Sequence, residues 1–237
     1  MRFIAATGLL AALLLFAACG EPAQLGERIE LESDGWVLVG DLVIPETTTQ
    51  VPAVLLLHMM PTDRTSFTKL AGLLAERNIA SLRIDLRGHG ESINQGEHNE
   101  QINAEAWHDI LAAINYLAEH EAINPERIGV LGASYSGEQA ALAGREGAEV
   151  KSWVIMSSGS FSEESIQYVA HSGAHWQFIA ARDDGDVADL MRRAAESAPG
   201  LAAATIYPRG GHGTYLFRSD RELEKKIANW FLDHLAN

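Results

Sequence analysis

The chain has 237 residues, 47% of them apolar and 21% charged, with a formal net charge of −14. This is globular composition, and it excludes collagen-like, coiled-coil and disordered readings. A surface this acidic argues against nucleic acid as a partner, and the single cysteine, Cys19, excludes an intramolecular disulfide and a cysteine-cluster metal site.

Residues 1–19 read MRFIAATGLLAALLLFAAC. Arg2 gives a positive start and residues 4–16 an apolar stretch, the layout of a secretory signal peptide. The stretch is short for a membrane span, and no stop-transfer pattern follows. Its end, Leu15-Phe16-Ala17-Ala18-Cys19, resembles the lipobox of bacterial lipoproteins, with Phe16 where leucine is commoner. The resemblance implies that residues 1–18 are removed and that Cys19 carries lipid anchoring the protein to a membrane. Gly20, in place of aspartate, implies the outer membrane, periplasmic face, in a Gram-negative host. An ordinary signal peptide with an incidental cysteine is the alternative. Residues 19–26 then form a short tether and residues 27–237 one domain.

Beyond the tether, strands and helices alternate. Leu31, Val37, Val39, Leu42 and Ile44 lie in two runs split by Ser33-Asp34-Gly35, a hairpin signal. Residues 51–58 (VPAVLLLH) are continuously apolar, as a strand buried on both faces requires. Phe67, Leu70, Leu73 and Leu74 follow at helical spacing, and residues 79–84 form another strand. Trp107, Ile110, Leu111, Ile114 and Leu117 make a helical stripe that ends before Asn124-Pro125. Strands are expected at 127–131, 153–156, 176–180 and 203–207, and helices at 138–143 and 216–235. A hairpin followed by repeated β-α units predicts an α/β fold: a mostly parallel sheet with helices on both faces. In such a sheet chemistry sits at the carboxyl ends of the strands.

Residues 129–137 (GVLGASYSG) end a strand and open a helix. Small residues around Ser134 suit a sharp strand-turn-helix that projects the hydroxyl from the sheet edge. The backbone N–H of Tyr135, at the helix start, points towards a developing oxyanion. A Gly-Ser turn before a helix also occurs without catalysis. The segment resembles the nucleophile elbow of the α/β-hydrolase family, with Ser136 where glycine is usual and Gly137 one place later.

That resemblance implies a triad in the order Ser, acid, His. His212, in Gly210-Gly211-His212-Gly213-Thr214, lies on the loop where the family carries its histidine. After the strand at 176–180, the family register points to Asp184 as the acid, with Asp183 and Asp186 as competitors. Residues 85–92 (DLRGHGES) match another family signature, whose His89 falls outside the triad order. In His58-Met59-Met60-Pro61 the register makes Met60 the second oxyanion donor and puts Met59 in a glycine position. Met59 there either narrows or lines the site or fills the core. Residues 158–173, where the family inserts a cap, can hold one small helix. The compact pattern is similar to the dienelactone-hydrolase branch, with serine at the nucleophile position.

The function implied is a serine hydrolase acting on small esters, or on peptides or thioesters with the same machinery. A non-catalytic binding lipoprotein on this scaffold is the alternative. No cofactor is implied, and no metal: the nine histidines show no His-x-x-x-His or Glu-x-x-His spacing with further carboxylates on a helix.

Overall fold

The computed structural model describes residues 25–235. The readings for the signal peptide, Cys19 and residues 20–24 of the tether lie outside the described residues. Strands β1 (Glu27–Ser33) and β2 (Trp36–Val43) pair antiparallel across the Asp34-Gly35 turn. Strands β3 (Val51–Leu57), β4 (Ala80–Ile84), β5 (Ile123–Ala133), β6 (Ser152–Met156), β7 (His175–Ala181) and β8 (Ala202–Tyr207) follow. The sheet order is β1-β2-β4-β3-β5-β6-β7-β8. β2 meets β4 antiparallel, and all pairs from β4 to β8 across the sheet are parallel.

Helices α1 (Thr68–Ala75), α2 (Glu100–Ala104), α3 (Ala106–Glu119), α4 (Tyr135–Arg145), α5 (Glu163–His171), α6 (Val187–Glu196), α7 (Leu216–Ser219) and α8 (Leu223–Leu235) complete the order. The continuous apolar run of β3 is explained by two cores. Ala53, Leu55 and Leu57 enter one with Ile110, Ile114 and Ala140 from α3 and α4, while Val54 and Leu56 enter the other with Leu70 and Phe231 from α1 and α8. Both faces of the strand are therefore dry, and alternation disappears from its sequence.

β5, the closing helix and α2 differ from the sequence expectation, and α6 is not among the helices expected. β5 begins at Ile123 and includes Pro125. Its register against β3 shifts between Val51 and Ala53, which takes the proline, lacking an N–H, out of the ladder. The closing helix is broken: Asp220 is extended, and its carboxylate accepts from the Glu222 N–H at 2.9 Å, the Tyr207 hydroxyl at 2.9 Å and Lys226 Nζ at 2.7 Å. This local bonding competes with helix continuation, as aspartate side chains commonly do. α2 buries no residue, so it leaves no apolar stripe to read; it starts where Asn99 Oδ1 accepts the Ile102 N–H. Between β6 and β7 the chain makes α5 alone.

Candidate active site

The loops after β3, β4, β5, β7 and β8 all emerge at the carboxyl edge of the sheet. Ser134 stands between β5 and α4 with φ +58° and ψ −124°, a conformation that L-residues rarely adopt. The turn is tight because Gly132 and Gly137 let strand and helix approach. A Cβ at Gly132 would lie 2.8 Å from Ser136 O, and one at Gly137 would lie 2.8 Å from Ser158 Cβ. Ser136, fully buried, takes the Ala133 N–H at 2.9 Å and lies within 3.0 Å of Leu57 O, tying the elbow to the end of β3. A glycine there could make neither contact.

His212 Nε2 lies 2.7 Å from Ser134 Oγ. Its Nδ1 lies 2.8 and 2.9 Å from the two carboxylate oxygens of Asp184. The Asp184 side chain is 13% exposed and that of His212 35%, so the acid is shielded while the imidazole is partly open to solvent. An Nδ1–H given to a carboxylate leaves Nε2 free to accept the serine proton. Asp183 serves the loop instead. Its carboxylate accepts the N–H groups of Gly210 and Gly211 at 3.0 to 3.1 Å. These bonds hold its carboxyl below the usual carboxylate range. Asp186 is exposed just before α6.

Tyr135 opens α4, so its N–H belongs to the first-turn donors that have no intrahelical acceptor. Met60 follows β3, half-buried, with its Sδ 3.1 Å from Asn103 Nδ2. Met60 and Tyr135 line a cavity of about 440 Å³ with His98, Glu100, Asn103 and Gln139. Met59 does not share that wall: it is 1% exposed and packs beneath the histidine loop, where its Sδ receives the Thr214 N–H at 3.4 Å. Of the two places open to it, the structure puts it in the core. It lies two residues past β3 and joins the second core with Val54 and Leu56, so the strand's alternation, which turns the odd positions to the first core, ends at Leu57.

His89 stands apart from the Ser134–His212 pair. It stacks on His98 at 4.3 Å and on Tyr135 at 5.6 Å, and burial with the neighbouring His58 pushes its imidazole down to about 4. His58 is fully buried, and burial lowers it to about 4 as well. Its Nε2 accepts the Leu86 N–H at 3.1 Å, so the neutral ring carries its proton on Nδ1, directed at Met59 O. This neutral imidazole links the loop after β3 to the loop after β4, a role that the sequence pattern did not disclose. Among the described residues, no group of three or more His, Cys, Asp or Glu side chains could hold a metal ion, and no helix is long and apolar enough to cross a membrane.

Comparison with known proteins gives the fold a family. Est1E from Butyrivibrio proteoclasticus, solved with ferulic acid bound, superposes with a TM-score of 0.76 at 15% identity, covering 88% of this chain and 100% of that one. A dienelactone hydrolase from Anabaena variabilis gives 0.70 at 21% identity over 88% and 97% of the two chains. An uncharacterized 31.7 kDa protein from the traX-finO intergenic region of Escherichia coli is 28% identical over 131 residues, 52% of this chain. The match spans 42% of that relative's length. Residues 34–233, which hold every strand from β2 to β8 and the whole Ser134, Asp184 and His212 cluster, match X-Pro dipeptidyl-peptidase (S15 family). The chain belongs to that family, and its fold is that of the α/β-hydrolases.

Proposed function

We propose that this chain is a serine hydrolase that cleaves small esters, or related acyl compounds, through an acyl-enzyme on Ser134. The observation carrying this reading is the continuous line from Ser134 Oγ through His212 to Asp184, with contacts of 2.7 and 2.8 Å. Ser134 Oγ attacks the carbonyl carbon while its proton passes to His212 Nε2, and Asp184 stabilises the imidazolium. The N–H groups of Tyr135 and Met60 receive the oxyanion. His212 then gives the proton to the leaving oxygen, which departs as an alcohol. Water, deprotonated by the same imidazole, attacks the acyl carbon and restores Ser134.

Small substrates are favoured because the segment between β6 and β7 makes only α5, a helix of nine residues, and no lid-sized insertion lies there. Est1E, which holds a phenolic acid in its solved complex, supports an ester of that size. The family match favours a second reading, an X-Pro peptidase using the same serine. The export reading stands beside both: we place the protein on a membrane through lipid at Cys19, on the strength of the lipobox-like segment.

The test is a rate series on p-nitrophenyl esters from acetate to palmitate, with an X-Pro p-nitroanilide in parallel. Ester turnover highest at short chains, lost by at least about a thousandfold in Ser134→Ala, is expected. Faster anilide than ester turnover would select the peptidase. A Ser134→Ala protein that keeps more than about a tenth of the rate would remove Ser134 from the mechanism. Palmitate incorporation in cells that disappears in Cys19→Ser tests the anchor.

A further inference from the structure

His212 is held from both sides. Upstream, the Asp183 carboxylate binds the N–H groups of Gly210 and Gly211. Downstream, the loop meets Met59. The Met59 thioether receives the Thr214 N–H at 3.4 Å and the Thr214 hydroxyl at 3.5 Å. Gly213, between His212 and Thr214, has φ +56°, and a Cβ there would come within 2.5 Å of Met59 Sδ. The three heavy atoms nearest to that Cβ all belong to Met59.

We infer that Met59 is a positioning residue for His212: its buried thioether sets the height and register of the histidine loop above the elbow. This rests on the reading of Ser134 and His212 as a catalytic pair. Several features fit the assignment together. Met59 is anchored below by the second core, beside Phe67, Leu131, Met156 and Leu216, so it is a fixed abutment rather than a free surface chain. Thioether sulfur is a weak but adaptable acceptor, able to take two donors of different direction. Gly213 then has a specific reason to lack a side chain: the sulfur fills the space that a Cβ would need. The departure of residue 59 from the small residue usual in this family and the glycine at 213 are two halves of one contact.

Pure core filling predicts that truncating Met59 costs stability alone. Positioning predicts a loss in the chemical step. A displacement of about 1 Å in a catalytic group is enough to lower rates by up to about a hundredfold. The readout is therefore the rate at which a fluorophosphonate probe labels Ser134, measured with kcat, KM and the melting temperature. In Met59→Ala, labelling and kcat should fall about tenfold while KM stays within about twofold. Leu70→Ala, a truncation in the same core on α1, should lower the melting temperature comparably and label at the wild-type rate.

Gly213→Ala supplies the second arm. In the wild-type background it should slow labelling severely. In the Met59→Ala background, where its steric partner is gone, its additional cost should be several-fold smaller. Equal losses in Met59→Ala and Leu70→Ala, or the same cost for Gly213→Ala in both backgrounds, would overturn the assignment. If Met59→Ala does not fold, Met59→Leu preserves the volume and removes the sulfur acceptor. Labelling at least threefold slower than wild type then supports the inference, and wild-type labelling overturns it. Absence of Ser134 labelling in the wild-type protein would instead overturn the catalytic reading beneath it.

Discussion

Asp183 and Asp184 are neighbours with the same charge and separate roles. Asp184 faces His212 Nδ1, while Asp183 faces the backbone of the two glycines before it. Replacing Asp184 by asparagine offers Nδ1 an amide that can turn either way, so the imidazole loses its enforced tautomer. The expected loss in kcat is about 10³- to 10⁴-fold. Asp183→Asn keeps one acceptor oxygen for the glycines and should cost about tenfold or less, a difference that steady-state kinetics on the two variants resolves. The sign of the pH effect also follows. The Asp183 carboxyl is held below its ordinary range, so its tie to the loop is intact at neutral pH and is lost only as the pH falls through that lowered value. The family register points to Asp184 from sequence, and the structure sets that carboxylate against His212 Nδ1. The role of Asp183 stayed hidden because its partners lie 27 and 28 positions away, across a loop whose path no periodicity encodes.

The loop after β4 shows how an element is held. Asp85 accepts the backbone N–H of Arg64 at 2.8 Å and that of Glu91 at 2.9 Å, and its carboxylate also pairs with the Arg64 guanidinium. Arg87 forks onto Asp109 of α3 through Nε at 2.9 Å and Nη2 at 2.7 Å, while its own N–H reaches Asp109 Oδ2 at 2.8 Å. Asp109 is fully buried. Removing it leaves the buried Arg87 guanidinium with the half-exposed Asp34 carboxylate and the Ser33 hydroxyl through Nη2 alone, so Asp109→Ala should destabilise the fold by about 3 kcal/mol, the low end for a broken buried pair, read as a lowered midpoint in urea. This network also explains which elements were legible. Strands buried on both faces announce themselves as apolar runs, and α3 as a stripe. α2, the break at Asp220 and the bulge around Pro125 depend on single polar side chains or on a missing N–H, and neither leaves a period in the sequence.

At the scale of the whole molecule, the two histidines buried behind the site couple stability to pH. His58 and His89 are lowered to about 4 when folded, against an ordinary value of 6.5. Between those values these two histidines bind more protons in the unfolded chain than in the folded one, so their contribution to stability falls as the pH drops from 6.5 towards 4. Each group contributes a slope of at most about 1.4 kcal/mol per pH unit. A melting temperature that declines through this window in the wild type, with a flatter decline in His89→Asn, is the expected result. The architecture itself was readable from the order of the motifs, since each one closes a β-α unit. The histidine stack was not, because His58, His89 and His98 come from loops that meet only after β3 and β4 have paired.

On the proposed reading of Ser134 and His212 as a catalytic pair, the contacts around the serine also set when it becomes reactive. His212 is 78 positions from Ser134, and Thr214 is 155 from Met59, with β8 at the sheet's edge carrying the histidine loop. Such long-range parallel pairing is slow to assemble, because large loops must close before any contact rewards them. During refolding from urea, helical circular dichroism should therefore return well before Ser134 can be labelled, and labelling should appear with the slowest phase. Until β8 docks, the hydroxyl has no base beside it, so an unfinished chain carries an inert alcohol. Reactivity arrives as the last event of folding.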